Sequence, residues 1–375
     1  MSVKAPPPLI YSQIKYLSTK SPLPFKIEQL RSGDKIGKHS DRFTLQIPFC
    51  LDYIKWDVIY NAQYPLVAPD FIFSPEDEDF HPLLFGDKGR TRFEMGSLCN
   101  WNIKDPSRLL LVVNELRKKY LDYQKKRVAE LDDDRLKFEI STLLSREGLE
   151  VLLLFASDRP QEVKFAIPLL ENIPLNKIVQ CCPWKQEQKI YLQAIFPITQ
   201  KYSAPSAPRL NLVCTSELKI VFSIDDVKLP IWINGMCMAE YLPNLENSLE
   251  AQILAAGASI GARRRFIEAL APVFGRPVEA DSVYCRRATV LVAGTFSFLV
   301  HFALTPQFPK QQPILTMQSS CHFTSQGTPI SSPSLRTYPW SPRWEPSIMV
   351  ERIFEYIGEE LLTFKKYCNE NSSQR

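Results

Sequence analysis

The sequence is poor in glycine, with 13 residues against 30 prolines in a chain of 375. Flexible glycine linkers are therefore not its main connectors. Loops stiffened by proline, whose ring fixes φ near about −65°, take their place. Histidine is scarce too: His39, His81, His301 and His322 are dispersed. With no His-x-His, HExxH or paired CxxC, no metal site is expected, and without a GxGxxG or a P-loop no nucleotide cofactor is expected either. No apolar run approaches the roughly 18 residues of a membrane span. The N-terminus, MSVKAPPPLIYSQIKY, lacks the apolar core of a signal peptide, so no membrane partner is expected and the location is read as cytoplasmic or nuclear. Nine cysteines, including the adjacent Cys181-Cys182, form an odd, irregular set that fits reduced thiols better than a disulfide framework. Charge of one sign is also lacking. The net charge is only +4, so the basic stripe of a direct nucleic-acid binder is missing. The sharpest run, Arg263-Arg264-Arg265, reads as a solvated helix face.

What is present is ordinary globular material, 45% hydrophobic and 23% charged, which is enough for real cores. The length predicts two to three domains. Phe43, Leu45 and Ile47 alternate with Thr44 and Gln46, the mark of a half-buried strand. Ile54–Tyr60 and Phe71–Phe73 follow and predict an antiparallel meander. From Arg108, Leu109, Val113, Leu116, Tyr120 and Tyr123 place one apolar stripe on a long helix, or on two abutting helices. Further strands are predicted at Leu149–Phe155, Val163–Leu170, Lys189–Phe196, Leu210–Val213 and Leu218–Ile224. Pro243–Ala271 reads as helix weakened at Gly257 and Gly261, and so as two helices joined there. Strands at Ser282–Val292, Phe296–Leu304 and Ile314–Met317 precede a closing helix over Ile348–Tyr367. Early in the chain, a short helix near Leu9–Leu17 is the one element expected.

One stretch recurs. IKWDVIYNAQYPLVAPDFIF and FSFLVHFALTPQFPKQQPILTM share the order strand, aromatic-proline, three residues, proline, strand. Phe308, Pro309 and Pro313 match Tyr64, Pro65 and Pro69 without a gap. A looser copy carries Tyr202, Pro205 and Pro208. Each full copy is followed by a polar loop, a tryptophan (Trp101; Trp340 or Trp344) and an amphipathic helix. Repetition of whole units argues for tandem domains, set at 1–148, 149–250 and 251–375. Within each loop the prolines impose an extended corner, and the aromatic ring is expected to anchor it in the core.

The order strand, YPxxxP, strand, His81-Pro82, Gly96-Ser97-Leu98-Cys99, Trp101, helix resembles the ubiquitin-conjugating (E2) fold. More narrowly, DRFTLQIPF, the first proline loop, LLLVVNEL, HFTSQG and YPWSPRW resemble the BRE (brain and reproductive organ-expressed) family at both ends of the chain. That resemblance implies an α+β chain of tandem E2-variant (UEV/RWD-like) domains without E2 activity. It implies a scaffold that bridges a MERIT-type, von Willebrand-A-like subunit to a JAMM-type zinc isopeptidase and its Abraxas-type partner. Such BRISC-type complexes cleave lysine-sixty-three-linked ubiquitin chains. The implied roles lie in DNA damage repair, checkpoint control, mitosis, and apoptotic or immune signalling, with ubiquitin itself a further candidate partner.

Cys99 is the candidate for a ubiquitin thioester. An E2 needs an Asn after the His-Pro to hydrogen-bond the oxyanion formed during transfer. Leu83 stands there and has no donor, and His81 is stretched 18 residues from Cys99. Cys99 is therefore read as a bystander thiol. An active E2 using Cys99, and a stand-alone ubiquitin- or proline-peptide-binding module, are the alternatives. The candidate interface is Trp340, Arg343 and Trp344, read as exposed, together with the last helix, because aromatics and Arg dominate hot spots.

Overall fold

The computed structural model describes residues 5–33, 40–61, 64, 66–82, 96–156, 159–170, 188–198, 207–221, 223–294 and 296–372. Pro65, Leu83, Cys181, Cys182, Tyr202 and Pro205 lie outside this set, as does the side chain of Cys99. The protein is α+β, and every paired strand among the described residues is antiparallel.

Helix α1 (Pro8–Lys20) precedes a sheet in sequential order: β1 (Lys26–Arg31), β2 (Arg42–Phe49), β3 (Asp52–Ile59) and β4 (Asp70–Ile72). The alternation read at Phe43, Leu45 and Ile47 holds, since all three are buried. The short α2 (Gly96–Cys99) leads to α3 (Arg108–Ala129), whose stripe of Leu109, Val113, Leu116 and Tyr120 covers this sheet. The long pattern is two helices. The second, α4 (Asp134–Leu143), starts where Asp133 caps it by accepting the Leu136 N–H.

Gln13 ties α1 to α3. It is fully buried, donates to the carbonyls of Ile103 and Asp105, and accepts the Leu109 N–H at 2.8 Å. It thereby satisfies an orphan donor in the first turn of α3.

A second sheet runs β5 (Glu150–Ala156), β6 (Arg159–Leu169), β7 (Ile190–Pro197) and β8 (Arg209–Cys214). Ala166, Leu152 and Tyr191 of this sheet join the core built by β2, β3 and α3. The joint is specific. Cys50 and Leu51 form the two-residue turn between β2 and β3 with φ of 50° and 61°. Non-glycine residues rarely take that conformation. Here the buried Cys50 donates its N–H to the Glu150 carboxylate, and its thiol contacts the carbonyls of Glu150 and Lys164. Arg117 of α3 pairs with the same carboxylate and donates to the Pro48 carbonyl at 2.9 Å.

Beyond β8, four expectations need correction, the last of them at the strand expected from Ser282. Leu218–Ile224 is not a strand; α5 (Ser216–Val221) and a 3-10 turn occupy it. Gly257 and Gly261 do not divide the next helix, because α6 runs from Met238 to Phe274 without a break. Each glycine costs about 1 kcal/mol of helix propensity. Burial of Leu249, Ile253, Ile260, Phe266 and Leu270 along α6 outweighs it. Arg263 is buried rather than solvated. Its guanidinium donates to the carbonyls of Tyr284 and Thr305 and to the Ser259 hydroxyl.

The contacts divide the chain into two compact units: the last division falls within α6 after Leu245, and Ser216–Val227, with α5, goes with the later unit. One unit holds the two sheets above. The other holds a sheet of β9 (Glu279–Ala280), β10 (Arg287–Val292), β11 (Phe298–Ala303), β12 (Ile314–Phe323) and β13 (Pro329–Ser331), closed by α7 (Pro346–Asn371). Its core joins Phe266 and Leu270 to Val290, Phe298, Val300, Leu315, Ile353 and Phe364.

The strand expected from Ser282 begins only at Arg287, because Asp281 captures the preceding backbone. Its carboxylate accepts the N–H groups of Val283, Tyr284 and Arg286, each at 3.1 Å. Burial pushes the Asp281 pKa up, but those three donors outweigh it and hold the carboxyl below its ordinary value. A depressed folded-state pKa stabilises above the unfolded value of about 3.9 and is lost as pH falls through the folded value. Asp281→Ala should therefore lower stability by about 1 kcal/mol at neutral pH, after allowance for solvent screening. In thermal unfolding the gap to wild type should close as pH falls below about 4; a gap constant with pH would contradict this role.

Candidate functional site

The two proline loops are held differently. In the second, the Phe308 ring is 3% exposed and packs on Phe266 of α6 at 5.2 Å and on Trp340 at 5.7 Å. The Phe308–Pro309 peptide is cis. Trp340 donates its indole N–H to the Pro309 carbonyl at 3.0 Å, and Tyr338 donates its hydroxyl to the Pro313 carbonyl. Phe308, Pro309, Pro313 and Trp340 are thus brought into one assembly, in which the YPW string clamps the loop at both prolines. Tyr338 is the member that sequence reasoning missed, although it lies in the same string. Burial pushes its phenol pKa up, as suits a hydroxyl that acts as a donor.

The first loop lacks this clamp. Tyr64 is 65% exposed, so the expectation that its ring anchors the corner is corrected. Pro69 is buried, whereas Leu66 and Val67 are exposed. Backbone bonds from Tyr64 N–H to the Asn61 carbonyl and from Val67 N–H to the Tyr64 carbonyl, both 3.1 Å, hold the turn instead. The difference follows from the neighbours. Phe308 meets the aromatic wall of Phe266 and Trp340, and no ring contact to Tyr64 occurs among the described residues.

Downstream of the first loop, His81 is exposed, and the Pro82 carbonyl lies 3.5 Å from the Lys119 ammonium of α3. Cys99 ends α2. The Ser97 N–H at the start of that helix is capped by the Glu115 carboxylate at 3.3 Å. Trp101 is half-buried beside Tyr60 at 6.3 Å. Among the described residues, no group of three or more His, Cys, Asp or Glu side chains has the arrangement of a metal site.

The interface candidates divide as well. Trp340 and Trp344 are half-buried against the second core rather than exposed, because the hydrogen bond to Pro309 and the ring of Phe266 hold Trp340 inward. Arg343 between them is exposed. On α7, Phe354 and Leu362 are exposed at 47% and 76%, which leaves apolar surface on the last helix.

These features define an α+β protein of antiparallel meanders whose proline loops and tryptophans hold a frame. The chain belongs to the family of the brain and reproductive organ-expressed protein (BRE), whose family model matches residues 14–323. It is 31% identical over 355 residues to "BRISC and BRCA1-A complex member 2" of Danio rerio, a match covering 91% of this chain and 88% of that protein. It is 27% identical over 334 residues to the protein of the same description from Branchiostoma floridae, covering 87% of this chain and 84% of the relative.

Proposed function

We propose that this chain is a non-catalytic scaffold subunit of BRISC-type and related complexes. The observation that carries the reading is the match, along nine-tenths of the chain, to a relative described as a member of such complexes. In this reading the chain bridges a MERIT-type subunit to a JAMM-type isopeptidase and its Abraxas-type partner, which cleave lysine-sixty-three-linked ubiquitin chains. The three stretches 1–148, 149–250 and 251–375 act as E2-variant-like modules kept for shape. The cellular setting is cytoplasm and nucleus, in DNA repair, checkpoint, mitotic, and apoptotic or immune signalling.

The chemistry supports a silent site. Leu83 stands where the oxyanion donor of a conjugating enzyme would be and has no hydrogen to donate. The test is a non-reducing gel after incubation with ubiquitin-activating enzyme, ATP and ubiquitin. The chain should show no reducible ubiquitin adduct. An adduct that disappears in Cys99→Ala would replace the scaffold reading with an active conjugating enzyme.

A further inference from the structure

Strand β12 loses its register with β13 between Gln318 and Phe323. Successive side chains of a regular strand point to opposite faces, and a bulge re-aims them. Here Ser319, 1% exposed, turns the chain. Its hydroxyl oxygen accepts the N–H groups of Cys321 at 3.3 Å and His322 at 3.1 Å. The two neighbouring side chains consequently meet: Cys321 Sγ lies 3.3 Å from His322 Nδ1. The same Nδ1 is 2.9 Å from Ser319 Oγ, and Cys321 Sγ is 3.8 Å from that oxygen. The Phe296 ring, 5.7 Å away, backs the imidazole.

A second thiol completes the group. Cys368 of α7 is fully buried and lies one turn beyond Phe364, whose ring packs at 5.9 Å on the same Phe296 that backs His322; Ser319 and Cys321 are among the groups that act on its thiol. The face of α7 that carries Cys368 thus meets the end of β12 where Ser319, Cys321 and His322 gather, and only Cys321 of the two thiols is exposed. A buried structural thiol looks different. Cys50 is enclosed, contacts carbonyl oxygens, and has its pKa pushed far up by burial. Reactive thiols instead combine access with a nearby base or cation.

We propose that Cys321 is a peroxide-reactive modification site, with His322 as its proton acceptor and Cys368 as its resolving thiol. In the tautomer protonated at Nε2, the lone pair of His322 Nδ1 takes the Cys321 proton. The thiolate attacks one oxygen of hydrogen peroxide; an S–O bond forms, the O–O bond breaks, and the departing hydroxide takes the imidazolium proton to leave as water. Cys321 is then a sulfenic acid. Cys368 sulfur attacks that sulfur, the S–S bond forms, the S–O bond breaks, and the Cys368 proton leaves with the hydroxyl as a second water. Peroxide is reduced by two electrons, and the two thiols are oxidised to one disulfide that fastens α7 to the bulge of β12. Burial raises the Cys368 pKa, so this thiol is protonated at neutral pH and its proton is the one that leaves in the second water.

The test uses the full chain, treated with hydrogen peroxide and mapped by peptide mass spectrometry. Wild type should form a Cys321–Cys368 disulfide that a thiol reductant reverses. Cys368→Ser should instead accumulate a dimedone-trapped sulfenic acid at Cys321. His322→Ala should slow oxidation of Cys321 by about tenfold or more. A measurement on unmutated protein guards against misfolding of the variants: Cys321 should be oxidised well before the half-buried Cys237. Oxidation of Cys321 no faster than Cys237, or an unchanged rate in folded His322→Ala, would overturn the proposal. So would peroxide treatment that leaves Cys368 unpaired with Cys321 in wild type.

Discussion

Trp56→Ala is expected to destabilise the first compact unit by about 3–5 kcal/mol. The indole is 1% exposed at the centre of an aromatic group: Phe73 lies at 5.2 Å edge-on, Tyr120 at 5.9 Å and Phe80 at 6.3 Å. Phe80 in turn meets Phe73 at 4.7 Å and Tyr120 at 5.1 Å. The cluster fastens β3, the chain after β4 and α3 to one another, so truncation leaves a cavity that three separate segments would have to move to fill. Edge-on ring pairs add roughly 0.5–1.5 kcal/mol each beyond area burial, and those are lost as well. Guanidinium unfolding followed by far-UV circular dichroism measures the change. Trp56→Phe, which keeps a ring, should lose markedly less. A loss below about 1 kcal/mol for the alanine variant would remove Trp56 from the core.

Asp77→Ala is expected to cost a similar amount, about 3–5 kcal/mol, by a different route. Asp77 sits in a 3-10 turn (Pro75–Asp77) and is buried. It accepts from the Tyr120 hydroxyl at 2.9 Å, from Gln124 Nε2 at 3.1 Å and from Arg127 at 3.0 Å. Gln124, fully buried, uses its oxygen to accept the Leu153 N–H of β5. Arg127 stacks on Phe155 at 4.6 Å and on Tyr123 at 5.1 Å. Removing the carboxylate leaves a largely enclosed guanidinium without its counter-charge and two buried donors unpaired, which costs more than the bonds themselves contribute. Asp77→Asn retains one acceptor oxygen and the side-chain volume, so it should fall between wild type and alanine. Hydrogen exchange supplies the local readout: amides of α3 and β5 near Leu153 should lose protection together in Asp77→Ala. Unchanged exchange at β5 would show that the network does not join these elements.

Much of this architecture was legible because it is periodic. The alternation of Phe43, Leu45 and Ile47 and the stripe from Leu109 to Tyr120 are local patterns that burial obeys directly. What escaped is non-local. Strand β1 is an edge strand, half-exposed along its length and bulged where Gln29 takes φ of 52°, so its sequence KIEQLR carries no clean alternation. The turn at Cys50-Leu51 has none of the Asn-Gly chemistry that marks such a hairpin, and its conformation is tolerated through contacts with Glu150, a hundred residues on. Arg263 reads as part of a solvated face until its carbonyl partners arrive from distant segments, and the burial of Gln13 likewise depends on carbonyls ninety residues on. The strand expected at Leu218–Ile224 rested on Leu, Ile, Val and Phe in a short run, where period alone does not separate strand from helix.

The proline loop shows the same limit at the candidate site. The motif was legible twice, and its second copy is clamped by Tyr338 and Trp340 as a corner held in the core. Sequence could not reveal that the first copy leaves Tyr64 outside, because that depends on which helix faces the loop. Nor could it tell that Trp340 is engaged internally. Arg343 and the exposed face of α7 remain the surface on which the interface proposal rests.

The most direct test of the scaffold account is size-exclusion chromatography of the chain coexpressed with the JAMM-type, Abraxas-type and MERIT-type subunits of its own organism. The account predicts one co-eluting assembly, from which the MERIT-type subunit separates when this chain is omitted. A MERIT-type subunit that stays with the isopeptidase in the absence of this chain, or a chain that elutes alone from the full mixture, would contradict it.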